Sequence, residues 1–244
     1  METSLPQIKK NLAIVRERIA ESENRAGRPT GSVRLIGVTK YVDLDATREL
    51  ATLGCLDLAE SRPQQLWSKA DALGDLPIRW HLIGHLQRNK VAKTLEYAHV
   101  LHSIDSDRLL KQITSDATEI LSRFDGDLAK KPAPTIDLLI EINATSDQSK
   151  TGLSLEEGRK LMELAAKLPT NLPVKVKGLM GMSSVDASES QIRREFEIIR
   201  NTRDSWETEF GMSLPELSMG MSGDFELAID EGATMVRVGS LLFG

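Results

Sequence analysis

The sequence predicts a (β/α)8 barrel preceded by one extra helix, and three observations carry that prediction. Eight short apolar runs recur along 244 residues, and helical patterns fall between them. No glycine-rich dinucleotide fingerprint follows the first run, which disfavours the competing doubly wound open sheet. A barrel of this kind takes roughly 250 residues, so the chain reads as a single domain over 1–244.

The extra helix comes first. Leu5, Ile8, Leu12, Val15 and Ile19 recur at three- and four-residue steps, the mark of an amphipathic helix. Gly27, Arg28 and Pro29 end it. Strands are then expected over 33–40, 56–60, 79–85 and 100–104, followed by 136–143, 174–182, 214–219 and 235–238. Among the helices, Leu44, Leu50 and Leu53 lead to Gly54, a residue suited to ending a helix. Leu109, Ile113, Ala117, Ile120 and Phe124 form one stripe. Ser154 with Glu157 makes a capping box ahead of Leu161, Leu164, Ala165 and Leu168. Ser188 with Gln191 opens a helix carrying Phe196, Ile199, Trp206 and Phe210, and a shorter segment over 224–231 stops at Gly232. The stretch 125–134 is the most loop-like, yet too short to divide the chain into domains.

Bulk composition narrows the function. Hydrophobic residues at 40% and charged residues at 27% suit a soluble globule with a real core. A formal charge of -5 argues against a general nucleic-acid partner. Cys55 is the only cysteine, so neither an intrachain disulfide nor a thiolate metal site is available. A reducing, cytoplasmic location is expected. No basic segment followed by an apolar one opens the chain, and no run approaches about 18 apolar residues. Neither secretion nor a membrane partner is expected.

In such barrels function collects where strands run into βα loops. Lys40 closes the run Leu35-Ile36-Gly37-Val38-Thr39, and an amine at a strand end can add to an aldehyde. Taken alone, that position more often holds a plain surface lysine. Two turns shift the balance. Ser218-Met219-Gly220-Met221-Ser222 follows the seventh strand and Gly239-Ser240 the eighth, the recurrent phosphate position of barrels. Backbone N–H groups and hydroxyls there can seat an anion, although either turn alone reads as a simple helix cap. Arg237 falls on the opposite face from Val236 and Val238 and suits a barrel interior only with a partner: it reads either as an exposed or salt-bridged arginine or as a donor to a ring nitrogen or a phosphate. Arginine keeps its proton; beside a pyridine nitrogen it favours the unprotonated ring, a poor electron sink.

His81 and His85 have the spacing of two helical metal ligands, but they sit in a strand-end pattern without a nearby carboxylate or cysteine. No metal is expected, and one or both imidazoles are assigned to the site mouth. His102 and Asp105 read as a strand-end hydrogen-bonding group and a helix cap. Cys55 reads as a small core residue.

Jointly these motifs resemble the pyridoxal phosphate homeostasis proteins, single-domain relatives of the alanine racemase TIM barrel. The resemblance spans nearly the whole chain, through Val38-Thr39-Lys40, Trp80-His81-Leu82-Ile83-Gly84-His85-Leu86-Gln87, Asn89-Lys90 and His102-Ser103-Ile104-Asp105. Gly178-Leu179-Met180, the 218–222 turn, Arg237-Val238-Gly239-Ser240 and Phe243-Gly244 continue it. It implies that Lys40 holds pyridoxal 5′-phosphate (PLP) as a Schiff base and that Ser218, Gly220, Gly239 and Ser240 hold the phosphate. It also implies that Arg237 faces the pyridine nitrogen and that Asn143, Met182 and Ser183 border the cofactor.

The activity implied is vitamin B6 homeostasis, buffering PLP or delivering it to PLP-requiring apo-enzymes without catalytic turnover, as a monomer or weak dimer. Val42 and Asp43 stand where the family often has a second lysine and then proline, and Glu60-Ser61-Arg62 replaces a usual Glu-Asn-Tyr. Lys150 matches a lysine common in the family. The rival reading is an amino-acid racemase on the same barrel, which needs acid–base groups on both faces of the substrate α-carbon. In two-domain racemases one group comes from a C-terminal β-domain, whereas this sequence ends at Phe243-Gly244 and has only Tyr41 and Tyr97 as tyrosines. A phosphosugar lyase is a third reading, disfavoured because its lysine commonly lies on a later strand.

Overall fold

The computed structural model describes residues 5–124, 135–147 and 150–244; the predicted loop at 125–134 lies outside them. Eight strands pair in sequence order, all parallel, and β8 closes on β1. They are β1 (Arg34–Val38), β2 (Asp57–Glu60), β3 (Arg79–Leu82), β4 (Val100–Ile104), β5 (Ile136–Ile142), β6 (Val174–Gly181), β7 (Glu216–Ser218) and β8 (Met235–Val238). Several are shorter than the apolar runs that predicted them. Val33, Leu214 and Met219 are buried without belonging to a strand, because apolar patterning reports burial rather than pairing.

The helix α1 (Leu5–Arg25) precedes the barrel as expected. Its residues Ile8, Leu12, Val15 and Ile19 are all buried, and it packs on α2 (Leu44–Thr52), α8 (Phe225–Asp230) and α9 (Ser240–Phe243). The apolar stripe is therefore spent on the barrel's own helices. Buried Glu23 anchors the turn into β1, accepting from the N–H groups of Gly31 at 2.9 Å and Val33 at 2.6 Å. Asn11 Nδ2 donates to the Leu242 carbonyl at 3.1 Å, fastening α1 to the last helix.

The expected capping box is present at α6 (Leu155–Ala165), with Ser154 and Glu157 bonding reciprocally. Ser188 caps α7 (Glu189–Phe210) through the Gln191 N–H, and α5 (Asp107–Phe124) buries Leu109, Ile113 and Ala117 of the predicted stripe. Three helices had no counterpart in the sequence reading: α3 (Pro63–Ala72), the five-residue α4 (Val91–Leu95), which a 3-10 turn at Arg88–Lys90 precedes, and the four-residue α9. Helix α3 fully buries only Pro63 and Leu66, so its stripe is thin. Helices α4 and α9 are too short to display a period.

Strand alternation divides the side chains into two populations. Leu58, Leu82, Leu101, Leu138, Leu179, Leu217, Val236 and Val238 join the layer beneath the helices. Ile36, Val38, Ala59, Val100, Leu139, Met180 and Met235 form a separate inner cluster. Charged pairs mark the strand starts: Arg34 with Asp57 and Glu216, and Arg79 with Asp137 at 2.5 Å. Among the described residues no helix is long and apolar enough to cross a membrane.

Candidate functional site

The segments that follow β1, β7 and β8 enclose a cavity of about 380 Å³, within the size range of small-molecule sites. Lys40, Arg237, Ser222, Gly223, Gly239 and Ser240 supply its polar lining, and Val38, Ile83 and Phe243 its apolar walls. Lys40 sits two residues past β1, with Nζ 4.9 Å from the centroid of the exposed Tyr41 ring.

The turn carrying Lys40 is pinned from outside the barrel. Lys69 on α3 donates to the carbonyls of Thr39 at 2.8 Å and Val42 at 3.0 Å, and to Glu60 Oε1 at 2.7 Å. Thr39 Oγ1 donates to the same carboxylate oxygen at 2.7 Å. Glu60 is fully buried, and its other oxygen has no protein partner among the described residues. Removing one member of a buried pair leaves a charge without compensation. Lys69→Met is expected to cost about 3–5 kcal/mol, read by chemical denaturation; a loss under about 1 kcal/mol, the range of exposed pairs, would contradict this.

The β7 turn is built around Gly220, at φ +86, where an added Cβ would lie 2.7 Å from Ala228 Cβ and 2.8 Å from Phe225 Cα. Only glycine accepts both that backbone and that approach. Gly220→Ala is expected to lose about 2 kcal/mol or more, roughly 4–8 °C of melting temperature, in thermal denaturation. Asp224 shapes the loop: Oδ1 accepts from the Met221 N–H at 2.6 Å and Oδ2 from Ser183 Oγ at 2.5 Å. Ser222 Oγ accepts from the Gly239 N–H at 3.3 Å, joining the two turns. No described residue accepts from the N–H of Ser222, Gly223 or Ser240, so these donors remain available.

Arg237 is 4% exposed and solves its burial with three acceptors. One terminal nitrogen donates to the Ser218 carbonyl at 2.7 Å and to Ser218 Oγ at 2.6 Å; the other donates to the Gly181 carbonyl at 3.0 Å. Burial pushes its pKa down to about 10, opposed by the Asp224 and Glu141 charges, so it is protonated at neutral pH. Behind it runs a buried chain: Ser218 Oγ to His102 Nδ1, His102 Nε2 to His81 Nδ1, and His81 Nε2 to Asp57 Oδ1, each at 2.9 Å. Burial holds both imidazoles below the ordinary histidine range, His102 well below. Burial also raises the pKa of Glu141, against the Thr151 hydroxyl that donates to it at 2.6 Å.

The depressed histidines carry a sign for stability. The unfolded chain protonates them near pH 6.5 while the folded chain does not, so their contribution is complete above that value and lost as pH falls below it. Denaturation from pH 7 down to 5 is expected to show stability falling by up to about 1.4 kcal/mol per pH unit for each histidine. A flat profile over that window would exclude two neutral buried imidazoles.

Of the residues assigned from sequence, the cavity brings together Lys40, Arg237, Gly239 and Ser240. Met182 packs on the inner apolar cluster with Ile83. Ser183 is buried on Asp224, and its carbonyl accepts from Lys150 Nζ at 2.8 Å. Asn143 uses its amide within its own turn, accepting from the Thr145 N–H and hydroxyl and donating to the Asp147 carbonyl. Gly220 shapes the β7 turn without lining the cavity. Ser218, expected at the phosphate, is fully enclosed, does not line the cavity, and commits its hydroxyl to His102 and Arg237.

His81, expected at the mouth, is likewise interior, because its parity on β3 points it at Asp57 and His102. His85 is exposed and pairs with Asp105 at 3.0 Å, and it is Ser106 rather than Asp105 that accepts from the Leu109 N–H at 3.3 Å. No cluster of metal-ligating side chains occurs among the described residues. Ser222 is the polar lining residue that sequence reasoning missed. The available signal was alternation: Ser218 shares the inward parity of Glu216, whereas Ser222 lies beyond the Gly220 turn.

Known proteins share this barrel. Residues 4–244 match the family described as alanine racemase, N-terminal domain, which defines the class of barrel. The chain is 38% identical to a pyridoxal phosphate homeostasis protein of Aquifex aeolicus, over 96% of each chain. It is 32% identical to the protein of the same name in Escherichia coli K12, over 96% of this chain and 94% of that one. The structure of PipY from Synechococcus elongatus with PLP bound superposes with a TM-score of 0.81 at 30% identity, covering 97% of this chain and all of that one. This chain belongs to the pyridoxal phosphate homeostasis protein family. An alanine racemase from Clostridium difficile, at 13% identity and TM-score 0.75 over 60% of its length, shares the fold.

Proposed function

We propose that this chain binds PLP in the Lys40 cavity, attached through Lys40, and serves as a cytoplasmic PLP reservoir that buffers the cofactor or passes it to apo-enzymes. The observation that carries the reading is the convergence of a primary amine, a guanidinium, two serine hydroxyls and unengaged backbone N–H groups on one partly apolar cavity. That donor set fits a flat aldehyde with a phosphate tail. When bound, the cofactor supplies an aldehyde carbon with which an amine condenses reversibly.

Each residue has a distinct part. Lys40 brings the amine. Ser222, Gly223 and Ser240 offer hydroxyl and backbone donors to the phosphate, and Gly239, whose N–H is held by Ser222 Oγ, brings the β8 turn beside them. Val38, Ile83 and Phe243 cover apolar ring surface and keep water from it. Arg237 donates toward the ring nitrogen and accepts nothing, so the ring stays unprotonated and withdraws electrons poorly. That supports storage over turnover. Among the described residues the cavity lining contains no carboxylate and no imidazole, and Tyr41 is its one phenol.

Titration of the purified protein with PLP is expected to produce a visible absorbance band saturating at equimolar ratio, and the loaded protein to restore an apo-enzyme added afterwards. Incubation with single amino-acid enantiomers is expected to give no racemisation beyond that of free PLP. Rapid racemisation would replace the carrier reading with an enzymatic one.

A further inference from the structure

The chain of bonds behind Arg237 runs away from the cavity, and with both imidazoles neutral elementary chemistry permits it only one polarity. The Asp57 carboxylate can only accept, so His81 Nε2 carries hydrogen across their 2.9 Å contact. A neutral imidazole has one donor and one acceptor. His81 Nδ1 therefore accepts, and His102 Nε2 must donate to it. His102 Nδ1 is then an acceptor, which obliges Ser218 to spend its single proton there. The Ser218 oxygen is left to accept from Arg237, which can only donate. Five residues from β2, β3, β4, β7 and β8 are thereby satisfied in one direction, with a cation at one terminus and an anion at the other.

The far terminus is not sealed. Asp57 and Arg34 line a second cavity of about 430 Å³ at the strand starts, together with Arg16 and Glu23 of α1. We propose that Asp57, His81, His102 and Ser218 are positioning residues that fix the orientation of Arg237 in the cofactor cavity, so that a change of charge at Asp57, on the opposite end of the barrel, alters how the cofactor is held. Residues joined in one polarised chain reinforce one another. Neutralising the terminal anion weakens each successive bond, and the guanidinium feels the sum. The inference rests on the assignment of PLP to the Lys40 cavity for its second arm only.

The first arm needs no cofactor. In uniformly labelled full-length protein, long-range proton–nitrogen NMR is expected to show His81 and His102 as neutral Nε2–H tautomers at pH 7. Asp57→Asn should move the His81 nitrogens and, attenuated, those of His102. Finding either imidazole charged, or as the Nδ1–H tautomer, would overturn the relay while leaving the Lys40 assignment intact.

The second arm uses PLP-loaded protein. Asp57→Asn should shift the absorbance maximum of the bound cofactor and weaken its retention by several-fold. Ser218→Ala should weaken retention by about tenfold, the equivalent of one hydrogen bond to a charged group, and Ser218→Thr, which keeps the hydroxyl, should restore it. A general loss of packing would not be repaired by the hydroxyl alone. Spectra and retention unchanged in Asp57→Asn and Ser218→Ala would overturn the coupling. If Ser218→Ala fails to fold, Asp57→Asn and the tautomer measurement still decide. If no band forms in the parent protein, the PLP assignment fails and the first arm stands separately.

Discussion

Lys40→Ala is expected to abolish the visible absorbance band that PLP forms with this protein, while lowering the melting temperature by no more than about 4 °C. The asymmetry follows from what the side chain touches. Lys40 Nζ makes no hydrogen bond or ion pair among the described residues; its one recorded partner is the exposed ring of Tyr41, at 4.9 Å. A cation–π contact at an exposed site is worth about 0.5–1 kcal/mol. The fold therefore barely depends on this amine, whereas the proposed attachment depends on it wholly. Lys69 cannot substitute, since it is engaged on Thr39, Val42 and Glu60. Residual PLP held by phosphate contacts alone would show the spectrum of the free aldehyde. An unchanged band in the variant would remove Lys40 from the mechanism.

Arg237→Leu is expected to damage both stability and binding. Leucine removes a buried cation, which relieves desolvation, and that gain must be weighed against what is left behind. The Ser218 carbonyl, the Ser218 hydroxyl oxygen and the Gly181 carbonyl all lose their donor in the barrel interior. Unsatisfied buried acceptors cost about 1–3 kcal/mol each, so the loss outweighs the relief, with a net fall of about 2–4 kcal/mol in chemical denaturation. Binding should weaken as well, because the cavity loses the guanidinium proposed to face the ring nitrogen. Arg237→Lys is not a rescue: an ammonium cannot span two carbonyls and a hydroxyl as the planar fork does. Wild-type stability in Arg237→Leu would mean that the interior bonds carry no net weight.

The barrel was legible because strand runs and helix stripes have different periods, and the extra N-terminal helix because five apolar positions recur at helical steps. Helices α3, α4 and α9 were not, the first for its thin stripe and the others for their length. At the site, Lys40, Arg237, Gly239 and Ser240 could be found because strand ends and turn residues are local signals. Ser218 and Ser222 were confused because both are serines of one short turn, and only the parity of β7 separates the inward one from the lining one.

The histidine chain was beyond sequence reasoning. His81 and His102 are 21 residues apart, and His102 and Ser218 are 116 apart. Closure of the barrel, rather than any spacing, makes them neighbours. Cys55 did read correctly as core: it is 3% exposed, and burial pushes its thiol up to about 12.

The account turns on where PLP becomes attached. Borohydride reduction of the PLP-loaded protein, followed by proteolysis and mass spectrometry of the peptides, reads that position directly. A single phosphopyridoxyl adduct on the peptide containing Lys40 is the predicted result. An adduct on Lys69, Lys150 or any other lysine, with Lys40 unmodified, would contradict the account.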